Sequence, residues 1–108
     1  MKINELIEKT GAEVINLANS DADVTGCHIG DLLSLVMSRA NDGDVWLTVQ
    51  TNVNVAAVSV LVDISCIIVV EGMTPDNDLV NKAKEQGVNL LKSEKSAFEI
   101  AKILSNEI

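Results

Sequence analysis

Aromatic side chains are nearly missing from this chain. Its 108 residues include one Trp, one Phe and no Tyr, so the core has to be aliphatic. Positive charge is also scarce: 8 Lys and Arg stand against 16 Asp and Glu, for a formal charge of −8. Nucleic-acid binding needs cations to neutralise phosphates, and docking on an anionic membrane needs them too. Neither partner is expected. Two isolated cysteines, Cys27 and Cys66, make neither a metal-ligand spacing nor a disulfide framework. Both are read as reduced thiols, which points to the cytoplasm. The N-terminus has acidic residues and no long apolar run, so no signal peptide is expected. The longest apolar run, Cys66–Val70, falls far short of the roughly 20 residues a membrane span requires. Neither G-x-x-x-x-G-K-[ST] nor G-x-G-x-x-G occurs, which removes the usual kinase and dinucleotide signatures.

What is present is a regular alternation of elements. Lys2–Thr10 carries Ile3, Leu6 and Ile7 at helical spacing, with Gly11 as its stop. Glu13–Ala18 reads as a strand. Asn19–His28 reads as a loop by composition. Asp31 is expected to cap a helix over 32–40, with Leu32, Leu33, Val36, Met37 and Ala40 on one face. Asp44–Gln50 alternates as a strand, and Thr51 or Asn52 can cap a helix over 53–61. That helix is apolar almost all round, so it should be buried on more than one side. In so small a chain a second copy can supply the extra cover. Cys66–Val70 fits a central parallel strand. Thr74-Pro75-Asp76 reads as a helix start, Gly87 as its stop and Val88–Leu91 as a short strand. Ser96-Ala97-Phe98-Glu99 matches a capping box, with Phe98, Ala101 and Leu104 expected to face inward.

This order predicts one α/β domain over residues 1–108. It should have three layers: a parallel sheet of about four strands, flanked by helices, after an N-terminal helix. Ligands in such sheets bind beyond the carboxyl ends of the strands. Two polar segments are assigned to that edge, Asn19–His28 and Gln50–Asn54.

The candidate binding residues come from these two segments: Asp23, Thr25, Gly26, Cys27, His28, Gln50, Thr51, Asn52 and Asn54. Cys27 and His28 could pair as nucleophile and base, but adjacent residues point in different directions, and such pairs are defined by geometry. Asp21 and Asp23 suit either a cation or the Asx-turns of their own loop. The amides of Gln50, Asn52 and Asn54 suit either helix capping or contact with a ligand. Trp46 is read as core. No catalytic residue, metal ligand or cofactor is assigned.

Several stretches together resemble the DRTGG domain family. They are Asp23-Val24-Thr25-Gly26-Cys27, Gly30-Asp31-Leu32-Leu33-Ser34, Val45–Gln50, Asn54-Val55-x-Ala57-Val58, Gly72-x-x-Pro75 and Ser96–Glu99. The namesake motif has Arg where this chain has Val24, and Gly where it has Cys27. Similar stand-alone proteins have His-Pro in place of Asn52-Val53. The resemblance implies a regulatory module, of a kind found beside CBS domains in some pyrophosphatases and associated with adenine nucleotides and dimerisation. Stand-alone members resemble proteins encoded near iron-only hydrogenase genes. The reading is a non-catalytic, homodimeric module with a small nucleotide ligand. The alternative is an interaction partner of a redox enzyme, with no ligand of its own.

Overall fold

A computed structural model describes residues 1–108. The elements run α1 (Ile3–Thr10), β1 (Glu13–Asn16), β2 (Gly26–Ile29), α2 (Leu33–Arg39), β3 (Asp44–Thr48), α3 (Asn54–Val62), β4 (Cys66–Val69), α4 (Asn77–Gln86), β5 (Leu90–Lys92) and α5 (Ala97–Leu104). The protein is α/β with an N-terminal helix, and the sheet has five strands in the order β1-β5-β4-β3-β2. The extra strand is β2, whose first three residues fall within the segment read as a loop. Its residues carry no apolar run, and it becomes a strand by pairing in parallel with β3, Gly26 to Asp44 through Ile29 to Leu47.

β1 is the other surprise. It runs antiparallel to β5, with Glu13 opposite Lys92 and Asn16 opposite Leu90. The chain leaving β1 therefore emerges beside the start of β5, at the amino end of the parallel strands. From there it crosses to the far edge and winds back through β2, β3, β4 and β5.

Alternation in the strands divides the core in two. Val45, Leu47, Cys66 and Ile68 pack with Ile3 and Leu6 of α1 and with Ile100 and Leu104 of α5. Trp46, Ile67 and Val69 pack with Val36 of α2, with Val55, Ala56 and Val58 of α3, and with Leu79 and Ala83 of α4. The result is three layers. Both central strands are buried at every position, as the unbroken Cys66–Val70 run requires. Trp46 is in the core, and its indole N–H donates to the Gly30 carbonyl at 2.8 Å.

Several local expectations change. Phe98 is 72% exposed, while Ile100 and Leu104 are the buried residues of α5. Its capping box forms as read, with the Glu99 N–H on Ser96 Oγ and the Ser96 N–H on Glu99 Oε1. Leu32 and Met37 face outward. Helix α3 lies between α2 and α4, which cover its flanks, yet Leu61 is 72% exposed. Helix α4 starts later than read, with Asp76 as N-cap, because the Asp76 N–H is taken by the Thr51 carbonyl at 2.9 Å.

Candidate functional site

Topology splits the candidate residues between two ends of the sheet. Asp23, Thr25 and Gly26 lie at the amino end, where Thr25 N–H donates to Gly43 O at 3.0 Å. Gln50, Thr51, Asn52 and Asn54 lie at the carboxyl end, after β3. The assignment of both polar segments to one edge is therefore overturned by the antiparallel β1. Cys27 and His28 lie in β2 between the two ends. As neighbours in a strand they point to opposite faces of the sheet, so they do not form a nucleophile–base pair.

The amino end is a stitched structure. Lys2 and Asp23 form an antiparallel bridge, reinforced by an exposed ion pair at 3.2 Å. Val24 N–H donates to Met1 O at 2.7 Å, and the terminal ammonium donates back to Val24 O at 2.9 Å. The Ser65 hydroxyl donates to the Asp23 carbonyl. Asn89 is buried and ties the tail of β1 to the sheet. Its Oδ1 accepts from Ala18 and Asn19 N–H at 2.8 and 2.9 Å, and its Nδ2 donates to Asn19 O and Ser65 O at 2.9 and 3.0 Å. A Cβ on Gly26 would run into the Asp44 carboxylate, which itself accepts from Asn41 N–H at 2.8 Å. Glycine is thus required at position 26 by close approach rather than by backbone conformation.

The carboxyl end is built differently, on Asp31. This residue was expected to cap α2, but the N-cap is Leu32, without a side-chain bond. Asp31 Oδ1 instead accepts from the Thr48 hydroxyl and Val49 N–H, both at 2.9 Å. Its backbone carbonyl accepts from Gln50 Nε2 at 2.8 Å. Gln50 Oε1 then accepts from Asn52 Nδ2 at 3.1 Å, and Asn52 Oδ1 accepts from Asn54 N–H at 2.9 Å. The amides of Gln50 and Asn52 hold one another in a relay from β2 to the start of α3. The side-chain amide of Asn54 makes no such bond and is exposed. It opens on a groove of about 390 Å³ between α3 and α4, lined by Val53, Asn54, Ala57, Val60, Lys82 and Gln86. Sequence reasoning found the amides but missed Lys82 and Gln86. They arrive from α4, and nothing local to them marks a site.

The usual crevice of an open sheet lies where successive connections pass to opposite faces. Here that point is between β4 and β5, since α4 and α5 belong to different layers. It is closed: Glu71 N–H donates to Lys95 O at 2.9 Å and Gly72 N–H to Ser93 O at 3.0 Å. Glu71 adopts a left-handed conformation there (φ 62°).

Cys27 lines a separate crevice with Ala101, Leu104 and Ile108. Burial, and then the charge of Asp44, raise its thiol to a pKa of about 11, so it is protonated at neutral pH. Burial also pushes the Cys66 thiol up. No three His, Cys, Asp or Glu side chains are grouped to hold a metal. No helix is long and apolar enough to cross a membrane.

No match was found among curated proteins. Among solved structures, the chain is similar to the CBS and DRTGG domains of the regulatory region of Clostridium perfringens pyrophosphatase, a region crystallised with its activator diadenosine tetraphosphate. The TM-score is 0.78 at 14% identity, over 95% of this chain and 45% of that one. This chain therefore spans less than half of that neighbour, and the likeness is one of fold. The family model of the DRTGG domain matches residues 5–106, nearly the full length, and the chain belongs to the DRTGG domain family.

Proposed function

We propose that this chain is a non-catalytic regulatory domain, folded as one unit over residues 1–108, that senses an adenine nucleotide and works as a homodimer. The observation that carries the reading is the amide relay from Asp31 to Asn54, which ends on the α3–α4 groove. Small-molecule sites occupy roughly 300–1,000 Å³ and combine apolar walls with a few fixed polar groups. The groove has this character, with Val53, Ala57 and Val60 as its apolar wall. A side-chain amide can donate to and accept from an adenine edge at once, and Asn54 is the free amide here. Lys82, paired to Glu85 at 3.2 Å, can turn to a phosphate. The ligand of the pyrophosphatase regulatory region makes adenine nucleotides the class to try first. A second reading, docking on a redox enzyme without a ligand, is favoured by Leu61 and Phe98, each 72% exposed.

A thermal-shift series with diadenosine tetraphosphate, ATP, ADP and a flavin separates the two. Ligand at a hundred times its dissociation constant adds about 2.7 kcal/mol, and each kcal/mol moves the melting temperature of a domain this size by roughly 4–8 °C. The expected result is a clear shift with an adenine nucleotide that Asn54→Ala removes. No shift with any of them overturns the ligand reading and favours the protein partner.

A further inference from the structure

Helix α2 is the least secured element of its layer. It lies outermost, beside α3, and buries Val36 alone. By comparison, α3 buries Val55, Ala56, Val58 and Ser59, and α4 buries Leu79 and Ala83. The N-cap of α2, Leu32, offers no side-chain bond, and its first turn holds no acidic residue. Its first N–H groups therefore lack the usual side-chain partners. No hydrogen bond runs from Leu33–Arg39 to another element. Ser38 Oγ donates to Leu35 O within the helix, and Ala40 N–H donates back to Val36 O. Leu32, Leu35 and Met37 face solvent. Few buried apolar contacts and solvated backbone bonds mark the segments of a protein that open locally.

What fastens α2 is the corner before it. Gly30 N–H donates to Leu47 O at 3.2 Å, and Gly30 O accepts from the Trp46 indole at 2.8 Å. Asp31 Oδ1 takes the Thr48 hydroxyl and the Val49 N–H. The carbonyl of Asp31 holds Gln50 Nε2, and this is the first link of the relay that reaches Asn54. One residue thus secures α2 and shapes the candidate site. Lifting Gly30–Ala40 would break that first link. It would also uncover Trp46, which packs in the same cluster as Val36.

We infer that Gly30–Ala40 is a hinged cover, latched by Asp31 to the end of β3, and that a nucleotide at the Gln50–Asn54 corner closes it. The coupling rests on the nucleotide reading above and supplies the regulation of that site. The relay holds its shape only while Gln50 is held by Asp31. A ligand that needs this arrangement binds the closed form and draws the segment shut. By reciprocity, a closed segment favours the ligand. The position of α2 is then the output of the sensor.

The test is amide hydrogen exchange of the full chain, read by NMR with and without diadenosine tetraphosphate. Leu6, Val36 and Ile100 are matched probes. Each is buried, and each donates its N–H at 3.1 Å to the N-cap carbonyl of its helix, Lys2, Leu32 or Ser96. In the free protein Val36 and Gly30 should be protected to the same degree, and less than Leu6 and Ile100 by roughly tenfold or more. Equal protection of all four overturns the cover and leaves the nucleotide reading standing. Leu32→Ser, which supplies the missing cap at an exposed position, should slow Val36 and Gly30 together by about fivefold. Slowing of Val36 alone would show a helix that frays by itself and overturns the hinge. Diadenosine tetraphosphate at a hundred times its dissociation constant should slow both probes by up to about a hundredfold. Binding, seen as a thermal shift, without that slowing overturns the coupling. A thermal shift with no adenine nucleotide at all overturns the nucleotide reading and the coupling with it, and the free-protein rates then decide the cover alone.

Discussion

The two ends of the sheet use polar side chains in opposite ways. At the amino end they are consumed: Asn89 makes four hydrogen bonds to backbone groups, and the Asp23–Gly26 stretch is sewn to Met1, Lys2, Gly43 and Ser65. At the carboxyl end they are arranged but not exhausted. The relay from Asp31 fixes Gln50 and Asn52 and leaves Asn54 free beside a groove. The namesake stretch of the sequence is thus largely a structural stitch, and the free amide of Asn54 lies at the other end of the sheet. Changes at the amino end should cost stability, and changes at the carboxyl end should cost binding.

The largest effect is expected from Asn89→Ala, which removes every hydrogen bond of a buried side chain. At about 1 kcal/mol for each of the four bonds, a loss of about 4 kcal/mol should lower the melting temperature by roughly 16–32 °C. The nucleotide-induced shift should persist. Gly26→Ala comes next. Forcing a methyl against the Asp44 carboxylate should cost about 1–3 kcal/mol, measured by urea denaturation. Asp31→Ala bridges the two classes. It frees the Thr48 hydroxyl and the Val49 N–H together, so it should cost about 1–2 kcal/mol and, by loosening the segment whose backbone carbonyl holds Gln50, weaken the nucleotide shift. Glu71→Gly should stabilise by about 0.5 kcal/mol, because glycine accepts the left-handed backbone that Glu71 holds under strain. Asn54→Ala should leave stability within about 0.5 kcal/mol of wild type, as exposed changes usually do, and still abolish the response to nucleotide.

The same contrast explains what the sequence could reveal. β3 and β4 were legible because their apolar pattern is local, and α5 because Ser96 and Glu99 form its cap within one turn. β2 was not, since Gly-Cys-His-Ile has no strand periodicity of its own and takes its form from β3. The direction of β1 depends on its pairing with β5, more than seventy residues away, and that direction decides which polar segment reaches which end. The amides at Gln50 and Asn52 were visible as a polar corner. Their anchor, Asp31, sits before α2, where a helix cap was the local expectation and the tertiary bond to Thr48 won. Phe98 pointed inward by helical spacing, yet Ile100 and Leu104 fill that side of the core and leave it outside.

The most direct measurement is amide chemical-shift mapping of nitrogen-15 protein titrated with diadenosine tetraphosphate. The account predicts perturbations at Asp31, at Gln50–Asn54 and at Lys82 and Gln86, around the relay and its groove. Perturbations confined to the amino-end crevice of Asn19, Ser65 and Asn89 would contradict it, as would a titration that moves no amide at all.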